Sequence, residues 1–196
     1  MKLLTQKQIY DDIVETPLTL DTLVFPPFIG SKDNHVRVMQ KLQIEAMSNP
    51  SNLLIAKIKK LCRKHPDVPV LKNLLMQVLV SLGYSKKAQT VLDESIIQHP
   101  DYLTSKLNKS AFYYAQDQTE LMLETIDGKL TLREHLPTQT VFHWTDLVNF
   151  YKVVGLYYSL LQDIERLSSV IEALTTIKGV KNDDIGILRD SLRALS

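Results

Sequence analysis

The chain has 196 residues, 44% of them hydrophobic and 23% charged, which is enough for one substantial core and excludes a disordered half. Its formal net charge of +1 excludes global attraction to nucleic acid or an anionic membrane, so any such binding would need a local patch. A single cysteine, Cys62, excludes a disulfide within the chain, and no run nears the roughly 18 apolar residues of a membrane span.

Met1-Lys2-Leu3-Leu4-Thr5-Gln6 turns polar before a signal-type apolar run develops, so the expectation is a one-domain protein of the cytoplasm. Residues 5–15 read as a short amphipathic helix with Thr5 as its N-cap and Ile9, Ile13 and Val14 on one side. Residues 16–34 hold Pro17, Pro26, Pro27 and Gly30 and read as an extended arm. Leu23, Val24, Phe25, Phe28 and Ile29 are too apolar to leave in water. The arm is expected to pack on its own helical body or on another subunit, where it would hold a homo-oligomer together.

Helical periodicity begins at His35, with Val38, Leu42 and Ala46 in a stripe that closes at Asn49-Pro50. The next helix starts at Ser51, carries Leu54, Ile58, Leu61 and Cys62 on one face, and ends at His65-Pro66-Asp67. A pair follows from about Pro69 to Gly83 and from Ser85 to His99, stopped by His99-Pro100-Asp101. The two tripeptides lie 34 positions apart. The third pair, Leu103 to Ala115 and Gln118 to Ile126, is less regular and ends at Asp127-Gly128. Residues 127–140 read as an insertion in which Thr131 and Glu134 have capping-box spacing. Trp144 to Leu161, Ile164 to Ile177 and a terminal helix from Asp183 to Leu195 complete the pattern, with turns expected near 49, 66, 83, 100, 117 and 162.

A 34-residue period of helix pairs resembles the tetratricopeptide-repeat family. Aligned to that pattern, the second pair places Leu75 and Leu79 in the large slots, Gly83 at the turn, Ala88 in the small slot and Leu92 in the aromatic one. Lys72 stands where the family has tryptophan and Met76 where it has glycine. The pair beginning at Trp144 matches with Leu147, Tyr151 and Gly155, whereas Lys106 and Lys109 fill apolar slots of the third pair. The resemblance covers residues 35–177 and implies an all-α fold: a short right-handed α-solenoid of antiparallel helix pairs, with residues 1–34 as helix and arm and residues 178–196 as a capping helix.

In that family, ligands lie along the concave surface made by the first helix of each pair. Carried over by slot, the implied contact residues are Asn73, Gln77, Asn108, Tyr114, Thr145, Asn149 and Lys152, whose amides suit the backbone of an extended peptide. The family's clamp for acidic chaperone tails needs Lys, Asn and Arg in slots that here hold Met39, Gln43, Leu74, Thr104 and Asn108, so that ligand is not implied.

Chemical readings fare worse. His-Pro-Asp is also the signature of J-domain cochaperones, and the first copy follows the basic run Lys57, Lys59, Lys60, Arg63 and Lys64. The second copy follows Asp93 and Glu94, the wrong charges. Both copies are explained by a helix-ending histidine, a proline that cannot continue the helix and an aspartate able to cap the next one. Lys57, Lys60 and Lys64 share a face but lack the interleaved aromatics of a nucleic-acid surface. His35, His65, His99, His135 and His143 never recur at metal-ligand spacing, and no phosphate-cradling glycine loop exists. The reading is therefore a non-enzymatic interaction module that holds a peptide or helix of a protein partner, with no cofactor, no metal and no nucleic acid. A small assembly or secretion-type chaperone is the alternative among binding proteins; a J-domain regulator or an enzyme is the alternative from another class.

Overall fold

Several helices in this chain begin where a polar side chain meets free backbone N–H groups. Thr5 accepts from the Gln8 N–H (3.2 Å) while the Gln8 side chain accepts from the Thr5 N–H (2.9 Å), a reciprocal box that starts the first helix. Ser51 does the same for Leu54, Asp163 for Arg166, and Thr131 with Glu134 repeats the box in the insertion. The first turn of the helix from Pro69 differs from expectation. Its N-cap is Val68, with no side-chain bond, so Asp67 does not cap it; proline at the first helical position needs no N–H partner.

The computed structural model describes residues 3–19 and 32–195, apart from the side chains of residues 32–36. In chain order the elements are α1 Gln6–Val14, β1 Leu18–Thr19, α2 Lys32–Ser48, α3 Asn52–Lys64, α4 Pro69–Ser81 and α5 Ser85–Gln98. There follow α6 Leu103–Tyr114, α7 Thr119–Thr125, α8 Leu132–His135, β2 Phe142–His143, α9 Trp144–Leu160, α10 Ile164–Thr176, a 3-10 turn Asn182–Ile185 and α11 Gly186–Leu195. The fold is helical; its strands are two residues long and pair in parallel, Leu18 opposite Phe142 and Thr19 opposite His143. Leu23, Val24, Phe25, Phe28 and Ile29, the apolar residues of the arm, lie outside the described residues.

Backbone punctuation recurs with the 34-residue period. Gly83 and Asp117 both take positive φ (77° and 55°), and each is followed by an N–H that bonds a carbonyl five residues back: Tyr84 to Leu79 (2.8 Å) and Gln118 to Tyr113 (3.0 Å). Gln162 (φ 56°) with Asp163 to Tyr158 (2.9 Å) closes a third turn in the same way. The two His-Pro-Asp turns are also alike. His65 (φ −133°, ψ 65°) and His99 (φ −135°, ψ 68°) cap their helices, and their carbonyls accept from the N–H of Val68 and Tyr102. His99 Nε2 lies 2.9 Å from the Pro66 carbonyl, so the second joint is tied to the first.

The chain divides into two compact units, Thr22–Lys106 and Met1–Asp21 with Leu107–Ser196. Within the first, α4 packs against both α3 and α5, and α2 touches α4. Met39, Leu42, Leu54, Ile58, Leu71, Val78, Leu79, Ala88 and Leu92 form its core, and Ser95 and Ser105 share a buried hydroxyl bond of 2.8 Å. Within the second, α9 packs on α10, α11 and α7, while α1 packs on α10. Phe150, Tyr151 and Tyr158 of α9 are fully buried, each contributing about 1.5–3 kcal/mol by area. Asp12 of α1 accepts from the Tyr151 hydroxyl, and Arg166 pairs with Asp163 while its Nε donates to the Leu4 carbonyl. These bonds fix the N-terminal segment to α9 and α10.

Candidate functional site

A concavity of about 700 Å³ lies inside the first unit, where α3, α4 and α5 meet. Its floor is apolar: Leu75 and Leu79 from α4, Val91 from α5, and Ala56 and Cys62 from α3. Helical spacing explains the walls. Leu54, Ile55 and Ile58 take the buried side of α3, which leaves Lys59 and Arg63, one turn apart, exposed along the groove. On α5, Ala88, Leu92 and Ser95 face inward, while Lys87, Val91, Glu94 and Gln98 line the opening.

Lys72 gives the site its character. It is only 8% exposed, and its Nζ donates to the Gln98 side-chain oxygen across from α5. Lys87 Nζ sits 4.7 Å from the centroid of the Tyr84 ring, a cation held over an aromatic face. Four cations, Lys59, Arg63, Lys72 and Lys87, thus surround the groove against one anion, Glu94. Burial pushes the Cys62 thiol up from 9.0 to about 11, with Lys72 opposing the shift. A raised thiol carries less thiolate at neutral pH, which disfavours reactivity of this sulfur in the groove lining. The arrangement can hold an apolar group flanked by negative charge.

A smaller depression of about 280 Å³ in the second unit is lined by Gln8, Asp11, Asp12, Glu15, Thr131 and Arg133. Asp12 is engaged there by Tyr151, whose hydroxyl is held well above its ordinary pKa by burial first and the Asp12 carboxylate second. Among the described residues no group of three or more His, Cys, Asp or Glu side chains could hold a metal ion, and no helix is long and apolar enough to cross a membrane.

The residues implied by family resemblance stand elsewhere. Asn73, half-buried, and Gln77, exposed, are one turn apart on α4, on a different side of that helix from Lys72, Leu75 and Leu79. Thr145, Asn149 and Lys152 share one stripe of α9, at spacings of four and three, with Asn149 exposed and the other two half-buried. Thr145 at its head is engaged by His143, whose Nδ1 accepts from the Thr145 N–H (3.2 Å). Asn108 is half-buried on α6, and the Tyr114 hydroxyl bonds Ser191 at 3.0 Å. None of the seven lines the groove.

Sequence reading placed Lys59 and Arg63 only in a basic run and Lys72 only as a departure from the resembled pattern, and assigned none of them, nor Lys87, to a site. One signal was available: Lys72 replaces a tryptophan of the resembled pattern, exchanging a bulky ring for a slim cationic chain beside a basic helix. Comparison with protein-family models, curated proteins and solved structures finds no match.

Proposed function

We propose that this protein is a non-enzymatic interaction module of the cytoplasm, a short stack of helix pairs like that of tetratricopeptide repeats, which holds a segment of a protein partner. The observation that carries this reading is the groove of α3, α4 and α5: an apolar floor of side chains held by a packed helical core, with exposed polar groups along its rim and the buried Lys72 in its wall. The 34-residue recurrence of helix starts, positive-φ turns and His-Pro-Asp joints supports the repeat architecture. Both histidines cap helices in one conformation, which favours a structural role for the tripeptide over chaperone stimulation.

Affinity capture from native lysate tests the reading. Ala56 is exposed and lines the groove, so Ala56→Trp fills the space while sparing the core. Partner capture is expected to be lost in Ala56→Trp and retained in Asn73→Ala/Gln77→Ala. Retention in Ala56→Trp with loss in Asn149→Ala/Lys152→Ala would move the site to α9 and reject the groove. Capture unchanged in all three would reject both surfaces.

A further inference from the structure

The groove's charges are spread along its length, and their spacing constrains what fits. Lys87 lies near the start of α5 and Gln98 at its end, eleven residues apart, so the opening runs about 16 Å along that helix. Because α3 and α5 each follow or precede α4 through a tight reversal, Arg63 and Lys72 stand toward the Gln98 end, Lys87 at the opposite end, and Lys59 one turn back along α3. Among the described residues neither Lys59 nor Arg63 has an ion-pair partner, in contrast to Lys57 on another face of the same helix, which pairs with Glu45 at 3.0 Å. Two free cations beside an apolar trough, on a chain of net charge +1, form a local positive patch that the single Glu94 does not balance.

We propose that this groove binds an acidic segment of a protein partner, extended or helical, with carboxylates at both ends of an apolar anchor that sits over Leu75 and Leu79. The inference rests on the interaction-module reading and names its ligand class. An opening of about 16 Å accommodates roughly five residues of extended chain. An anionic amphiphile carries its charge at one end and would leave cations at the other end unmatched. A nucleic acid would look for aromatic faces on which to stack bases, and none of the lining side chains is aromatic. An acidic peptide matches both the charge distribution and the floor.

The probe is a short fluorescent peptide alternating glutamate and leucine, followed by anisotropy with the full chain. Its controls are the same peptide with glutamine for glutamate, the same with serine for leucine, and sodium dodecanoate as competitor. Lys59 and Arg63 are both exposed, so Lys59→Glu/Arg63→Glu leaves the core alone, and Lys59→Gln/Arg63→Gln removes charge without reversing it. Circular dichroism confirms folding of each. Expected are binding of the acidic peptide, about tenfold or greater weakening by the Glu variant, a smaller loss in the Gln variant, and weakening with added salt. Both control peptides should bind about tenfold more weakly or worse, and dodecanoate should not displace the acidic peptide. Failure of the acidic peptide to bind, equal binding of the glutamine peptide, indifference to both double variants, or displacement by dodecanoate would overturn the inference. The groove as the module's site fails separately: it falls if Ala56→Trp leaves partner capture intact, and it stands without the acidic ligand if Ala56→Trp abolishes capture while the double variants do not.

Discussion

Helices α9 and α4 each pack against neighbours on more than one side, and each carries polar groups into buried surroundings, yet they deal with those groups in opposite ways. On α9 the Tyr151 hydroxyl is answered from within by Asp12, and the adjoining α10 sends Arg166 to the Leu4 carbonyl. On α4 the buried Lys72 is answered by Gln98 at the wall of an open groove, with further cations beside it. The first arrangement closes a core around the Tyr151 hydroxyl, although the Tyr158 hydroxyl on the same helix is buried without a hydrogen-bond partner. The second leaves charge directed at a space. A closed helical core and a grooved one can therefore differ in where the partner of a buried polar group resides.

The largest effect should come from the closed unit. Tyr151→Ala removes a fully buried ring and strands the Asp12 carboxylate, and should cost about 3–5 kcal/mol in urea denaturation. Lys59→Glu/Arg63→Glu in the open unit should stay within about 0.5 kcal/mol, and a large loss there would erase the contrast. Next comes Gly155→Val. A Cβ at Gly155 would lie 2.9 Å from Leu188 Cδ2 and 3.3 Å from Val170 Cγ1, so a branched side chain should cost about 1–3 kcal/mol through overpacking against α11 and α10. Neutral behaviour would show that α11 can shift away.

Alkaline pH should separate the units by a smaller margin. Burial raises Tyr158 from 10.0 to about 12 and also raises Tyr151 and Tyr157, all on α9, whereas Cys62 alone is raised in the groove, to about 11. In each case the folded state prefers the neutral form. The stabilisation is therefore complete below the unfolded value, and it is lost as pH climbs from 9.0 toward about 11 for the thiol and from 10.0 toward about 12 for Tyr158. Denaturation midpoints compared across that window should fall, less steeply in Tyr158→Phe and, over the lower part of the window, less steeply in Cys62→Ala. Smallest is His99→Ala, which removes the bond to the Pro66 carbonyl and should cost about 0.5–1.5 kcal/mol. A null result would mean that the two joints hold their geometry independently.

Helix boundaries were largely legible because they are local. Breaks expected near 49, 66, 83, 100, 117 and 162 coincide with the ends of α2, α3, α4, α5, α6 and α9. Even the third pair, whose Lys106 and Lys109 fit the apolar slots poorly, keeps the backbone register, since Asp117 takes the positive φ that Gly83 takes one period earlier. Capping boxes at Thr5 and Thr131 were readable for the same reason. The Tyr151 to Asp12 bond and the β1–β2 pairing join residues more than a hundred positions apart, and no local pattern reports them. The groove was missed for a related cause. Attention to Lys57, Lys60 and Lys64 as one basic face overlooked that Lys59 and Arg63, offset by a fraction of a turn, meet the cations of two other helices. Slots copied from a family pattern point to the face that family uses, whereas the concavity here is lined by Lys72 and side chains of α3 and α5.

The matched joints have an evolutionary reading. Cutting between Pro66 and Asp67 and rejoining at Asp101 removes 34 residues and restores His-Pro-Asp at the seam, so duplication or loss of that block leaves the junction's own sequence unaltered. Because His65 and His99 adopt the same backbone angles, the seam would also arrive already fitted to the local geometry on either side of it. A chain punctuated in this way can change its length by whole units without inventing a new turn.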